Sequence, residues 1–160
     1  MKKLELTQGQ YALVDDEDYD YLMQWKWFAH WSNITKSYYA QRNEGKIPNR
    51  SVVHMSREVM KTPKDMRCDH KNHDTLNNQK YNLRNVTRSQ NGMNSRVYKN
   101  NELGERNIIK TLWNTYRVQI YKDKKRVFCK AYKSLDEAIA ARDSIISKIH
   151  GEFVYTGESR

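Results

Sequence analysis

The chain has 160 residues, a net charge of +10 and an isoelectric point of about 9.6. An aromatic content of 11% excludes a disordered tail, and the absence of any run near ~18 apolar residues excludes a membrane-spanning helix. Two cysteines, Cys68 and Cys129, are too few for a disulfide framework or a four-cysteine zinc site.

Residues 4–6 and 11–14 read as short strands. The acids Asp15-Asp16-Glu17-Asp18 open a helix reaching Met23, with negative charge at its positive end. Residues 25–29, 37–40 and 51–55 read as further strands, with a turn containing Pro48 before the last. Ser56 is placed to cap a brief helix over 57–61. After a break at 61–64, strands are predicted at 67–70 and 83–86 with a polar loop over 72–79, then a helix entered at Thr87. Residues 92–104 are rich in Gly, Asn and charge, hold no apolar period and read as a linker.

The last part predicts strands over 107–113, 115–121 and 125–132. In the middle one Tyr116, Val118 and Ile120 face one way, and Thr115, Arg117, Gln119 and Tyr121 the other. Ser134-Leu135-Asp136-Glu137 is a capping box. It opens a helix to about Ile149 with Ala138, Ala141, Ile145 and Ile149 on one stripe. The expected class is therefore α+β. The domains are 1–91, a linker 92–104, and 105–156. Charge is split unevenly: residues 1–23 hold two basic and six acidic side chains, whereas 96–133 hold eleven basic and three acidic. The basic half favours a polyanion, above all nucleic acid.

The densest chemistry lies in residues 68–91. Asp69 is a donor for a hard divalent cation, and His70 beside it can take a proton from water. Asn91 returns toward the same ion from the following helix, and Arg84 and Arg88 suit phosphate. A zinc site on Cys68, Asp69, His70 and His73 is disfavoured, since no second cysteine or histidine pair lies near in sequence.

Asp69-His70, Asn82-Leu83-Arg84 and Thr87-Arg88-Ser89-Gln90-Asn91 closely resemble the HNH homing endonucleases of phages and mobile introns, in a ββα-metal motif spanning about 66–94. Leu6-Thr7-Gln8-Gly9 and the acidic run after Val14 resemble the N-terminal region of the same group. Residues 107–153 resemble an Apetala/ethylene-response-factor domain, in which a three-stranded sheet backed by one helix reads DNA. His73 stands where the first family usually has glycine, Asn77 where it has aspartate, and Ser56 where a histidine is frequent. In the second domain Asn107 and Lys130 occupy usual glycine positions.

The resemblance implies His70 as general base, and Asp69 and Asn91 as ligands of one Mg²⁺ or Mn²⁺ ion. It also implies that Asn82 ties the loop and orients the base. DNA contacts would come from Arg84, Arg88, Arg96, Lys99, Arg106, Trp113, Arg117, Gln119, Tyr121, Arg126 and Phe128. Trp25, Trp27, Phe28 and Trp31 read as core. The function implied is a site-selective, homing-type endonuclease on double-stranded DNA, active as a monomer or weak dimer without a protein partner. With no signal-peptide run at Met1-Lys2-Lys3-Leu4-Glu5, it would work in the cytoplasm of the host cell. The alternatives are a non-cleaving DNA-binding regulator and a less specific defence or processing nuclease.

Overall fold

The computed structural model describes residues 1–95, 97 and 101–151; the expectations for Arg96 and Lys99 lie outside these described residues. The chain forms two compact units, Met1–Thr87 and Arg88–Arg160. The helix that bears Asn91 belongs with the second.

The first unit opens with strands β1 (Lys2–Glu5) and β2 (Tyr11–Val14), paired antiparallel with Leu4 opposite Ala12. Helix α1 (Asp16–Leu22) follows, with Asp16, Glu17 and Asp18 in its first turn, where exposed N–H groups favour negative charge. The expected strand over 25–29 begins only at Phe28. The preceding segment turns instead, because Trp27 is buried in the core and its indole N–H donates to the Leu22 carbonyl at 2.8 Å. A helix end whose carbonyls are buried needs such a donor.

Strands β3 (Phe28–Ser32), β4 (Ser37–Glu44) and β5 (Ser51–His54) make an antiparallel sheet in that order. Trp31 is exposed there rather than in the core. Arg42 of β4 is only 5% exposed. Its guanidinium bonds Glu44 at 2.8 Å and Glu58 at 2.9 Å, and lies 4.5 Å from the Trp25 ring centroid. A buried cation needs this degree of compensation.

Helix α2 (Met55–Val59) starts before the expected cap: Ser56 is buried inside it and makes no cap. Met55 and Val59, four residues apart, must both turn into the core, and that packing sets the helix phase. Arg57 donates to the carbonyls of Thr62, Pro63 and Met66, shaping the turn that feeds the next strand. Strands β6 (Arg67–His70) and β7 (Leu83–Val86) then form a hairpin, joined by a long loop ending in a 3₁₀ turn, Lys80–Asn82. Leu4, Ala12, Val14, Leu22, Trp27, Ala40, Met55, Val59 and Leu83 form one core beneath these pieces.

The second unit begins with α3 (Arg88–Met93). Strands β8 (Ile108–Lys110), β9 (Tyr116–Lys122) and β10 (Lys125–Tyr132) form an antiparallel sheet with β9 central. The strand expected over 107–113 stops at Lys110. Beyond it a loop closes between Thr111 and Thr115, whose backbone N–H and C=O meet at 2.8 Å and whose hydroxyls meet at 2.7 Å. Helix α4 (Leu135–His150) packs on the sheet, with Ser134 accepting from the Glu137 N–H at 3.2 Å. Ile108, Val118, Ile120, Ala138 and Ile146 are its buried core. The buried helical stripe runs through Ile146 rather than Ala141, because Leu135, Ala138, Ile139, Ile145, Ile146 and Ile149 together cover the sheet.

Candidate active site

The β6–β7 register places Asp69 directly opposite Arg84 and His70 opposite Leu83. The Arg84 Nε and Nη2 each lie 2.9 Å from Asp69 Oδ2, with both side chains largely buried. Arg84, expected as a phosphate clamp, thus turns its guanidinium to the acid of its own hairpin.

The loop between the strands is built from short polar side chains that satisfy its backbone. Asn72 Oδ1 accepts from the Asp74 N–H, and Asp74 Oδ1 from the Leu76 N–H, at 2.8 and 3.2 Å. These Asx turns let polar residues replace strand pairing. Asn82, 1% exposed, accepts from the Asn72 N–H at 3.1 Å and donates to the Asn77 carbonyl at 2.9 Å. Its amide thus joins the two ends of the loop. A different amide meets the neighbouring histidine: His70 Nε2 lies 3.4 Å from Asn78 Oδ1. Asp15, just before α1, receives the Lys80 N–H at 2.8 Å and the Gln79 amide at 3.0 Å, which anchors the end of the loop. His73, at the usual glycine position, has φ +62°, and Asn107, at another, has φ +61°. Both departures from glycine therefore sit in left-handed backbone, where glycine costs least.

His30 pairs with Tyr39 and Gln41 with His54, so these four side chains share one face of the β3–β4–β5 sheet. The Tyr39 ring lies 6.0 Å from His54 and 6.5 Å from His70, edge-on in both cases. A polar sheet face therefore flanks the proposed base. Nothing in the sequence alone singled out Tyr39, His54 or Asn78. Their relevance comes from long-range register, not from local pattern.

Burial pushes the His70 imidazole below the usual histidine range; its Asn78 contact and the charges of Asp69 and Asp74 oppose that shift, and His54 adds to it. Burial also lowers His54, helped by Arg57 and His30. Burial raises the Cys68 thiol, which donates to the Ser56 carbonyl at 3.3 Å, an arrangement of a protonated thiol rather than a metal thiolate. A histidine lowered in the fold binds fewer protons than its unfolded counterpart below about pH 6.5. Its contribution is therefore present above that pH and is lost as pH falls toward the folded value. We expect the melting temperature to drop between pH 7 and pH 5, and His54→Gln to remove part of that drop. A melting temperature independent of pH over this interval, in the wild type, would show that these histidines are not held neutral.

Asp69 offers hard oxygen donors suited to a divalent cation. Among the described residues no group of three or more His, Cys, Asp and Glu gathers. An ion here would therefore lean on few protein donors, with water and phosphate oxygens completing it, a common arrangement for Mg²⁺. Asn91 lies half-buried on α3 in the second unit, and Arg88 is exposed on the same helix.

In the second unit Ile109, Arg117, Gln119, Tyr121 and Arg126 share the sheet face turned away from α4. Arg117 Nε is buried with no hydrogen-bond partner among the described residues. Trp113, 81% exposed, stands in the β8–β9 loop beside Leu112. Two of the expected contacts are placed elsewhere. Phe128 packs on the helix-side core. Arg106 donates to the Gly92 and Met93 carbonyls at 3.0 and 2.7 Å, satisfying the end of α3.

Compared with known proteins, residues 61–93 match the sequence model of a family described as HNH endonuclease. No curated protein and no solved structure matches the chain. The match supports a nuclease acting on DNA, in a family that generally uses a divalent metal. No helix among the described residues is long and apolar enough to cross a membrane.

Proposed function

We propose that the chain is a site-selective, homing-type DNA endonuclease that hydrolyses phosphodiester bonds in a phage- or intron-borne setting. The observation that carries this reading is His70: buried, biased toward the neutral form, next to Asp69, and within the stretch that matches the endonuclease family.

In this reading His70 accepts the proton of the attacking water, which a neutral imidazole can do and an imidazolium cannot. Asp69 and Asn91 are the oxygen donors for one Mg²⁺ or Mn²⁺. When bound, that ion supplies positive charge for the phosphate oxygens and the departing 3′ oxygen. Asn82 keeps the loop closed and Arg84 holds the Asp69 carboxylate in place. The outer sheet face of the second unit docks on the duplex: Arg117 and Gln119 have the donors and acceptors to read base edges, and Tyr121, Trp113 and Arg126 flank them. Arg88 adds phosphate contact.

Conversion of supercoiled plasmid tests the reading, run with Mg²⁺, with Mn²⁺ and with EDTA. Metal-dependent nicking or linearisation that leaves 5′-phosphate and 3′-hydroxyl ends is expected. Binding without conversion, including on DNA carrying its target site, would favour the non-cleaving regulator. Cutting of unrelated plasmids as fast as the target would favour the less specific nuclease.

Arg117→Ala is expected to weaken binding to target DNA by about 1–3 kcal/mol if the residue reads a base, and to relax preference at that position. If it touches only phosphate, affinity should fall evenly across sequences and the salt slope should drop by about one. Gel-shift titrations at several salt concentrations separate the two. An unchanged affinity at every salt would remove this face from the interface.

A further inference from the structure

We propose that Asn78 selects the tautomer of His70: its amide oxygen holds a proton on Nε2, so Nδ1 is the nitrogen that takes the proton from water. The inference rests on the reading of His70 as the base and adds a positioning residue to it.

Three observations fix the geometry. First, Asn78 is 1% exposed, and its backbone N–H is bonded to the Leu13 carbonyl at 2.8 Å, so its Cα is pinned to β2. Second, its side-chain nitrogen donates to the Leu76 carbonyl at 3.1 Å. That contact sets the amide orientation, since the reverse would turn one carbonyl oxygen on another. Leu76 is itself held, because its carbonyl also accepts the Leu13 N–H at 2.8 Å. Third, the oxygen left facing inward lies 3.4 Å from His70 Nε2.

An amide oxygen only accepts, and a neutral imidazole has one donor and one acceptor nitrogen. The nitrogen that faces Asn78 must therefore be the N–H, which leaves the lone pair on Nδ1. The distance is long for a resting hydrogen bond, as catalytic contacts often are before substrate binds. When Nδ1 takes the water proton, the ring becomes an imidazolium. Its Nε2–H then makes a charge-assisted bond to Asn78, stronger than the one in the resting state. Only one proton moves, from the water oxygen to Nδ1, and the hydroxide so formed keeps the electron pair. Asn82 cannot substitute for Asn78, because its amide is spent on Asn72, Asn77 and Asp74.

The test is nitrogen-detected NMR of the imidazole rings in the ¹⁵N-labelled full chain, at a pH where His70 is neutral. In the wild type the Nε2 of His70 should show the shift of a protonated ring nitrogen and Nδ1 that of an unprotonated one. Asn78→Ala should average the two shifts and slow single-turnover plasmid cleavage by about 10–100-fold, the usual scale for a lost orienting partner. The DNA concentration for half-maximal rate should not change. Asn78→Asp, which keeps an acceptor in place, should retain the Nε2–H tautomer. A wild-type ring protonated on Nδ1 overturns the proposal without any variant, so a failure of Asn78→Ala to fold does not protect it. An unaltered tautomer in folded Asn78→Ala also overturns it. If the tautomer is as stated but His70→Ala still cuts, the role of His70 as base fails while the tautomer assignment stands.

Discussion

Replacing His70 by alanine is expected to slow plasmid cleavage by about 10²–10⁴-fold, the range usually supplied by a positioned general base. DNA affinity should stay within about threefold of wild type. The two effects separate because they have different physical origins. Affinity for a duplex comes mostly from basic side chains that release counterions, and a buried imidazole held below its ordinary pKa adds no charge to that sum. In the proposed reaction, cleavage needs a nitrogen lone pair close to the attacking water, and alanine has none. The substitution also leaves Asn78 Oδ1 without the ring nitrogen it faces, so some loss of stability is expected, about 1–3 kcal/mol for a buried polar atom left unsatisfied. Thermal melts establish that the variant is folded at the assay temperature. Added imidazole should restore part of the rate if the alanine cavity admits it. Cleavage by His70→Ala within threefold of wild type would remove His70 from the mechanism.

Arg84→Ala is expected to destabilise the metal-free protein by about 3 kcal/mol, at the lower end of the cost of leaving a buried charge without its partner. Both side chains of the Asp69–Arg84 pair are about one-tenth exposed, so little solvent is available to take over. Divalent metal should recover part of this loss, because a cation on Asp69 replaces the missing positive charge. Millimolar Mg²⁺ should therefore raise the urea midpoint of Arg84→Ala more than that of the wild type. Asp69→Asn should offset part of the Arg84→Ala loss in a double-mutant cycle, since the carboxylate charge that Arg84 faced is then gone. The competing role is direct phosphate contact. If stability is unchanged while DNA affinity falls and the salt slope drops by about one, Arg84 serves the substrate rather than Asp69.

Much of the element order could be read from the sequence because its causes are local. The acids in the first turn of α1 match its positive end, and Ser134 followed by Glu137 caps α4. Alternation along β9 turned Val118 and Ile120 inward as expected. Residue types also gave the site its candidates: an acid beside a histidine on a strand, a polar loop, and an amide on the next helix. Where the sequence misled, a contact between distant residues was responsible. Trp27 left its expected strand to cap and bury the end of α1, and Met55 with Val59 moved the start of α2 off Ser56.

The site's internal partners depended on tertiary structure alone. Arg84 meets Asp69 because the β6–β7 register puts them opposite, and a shift of one residue would have turned every side chain to the other face. Asn78 is one of five amides within residues 71–82, identical in type to Asn72, Asn77 and Asn82. Only the pairing of its loop with Leu13 sets it beside His70. Phe128 is the clearest case. Two residues after Arg126, it belongs on the same face in a regular strand, and both were expected to touch DNA. A bulge between them leaves Arg126 opposite Tyr121 on the outer face but sets Phe128 opposite Ile120, against the helix. Composition and spacing determined which residues this chain has to offer a nucleic acid. One extra residue in one strand decided which of them face away from the core, because side chains in a sheet alternate and a bulge resets the alternation.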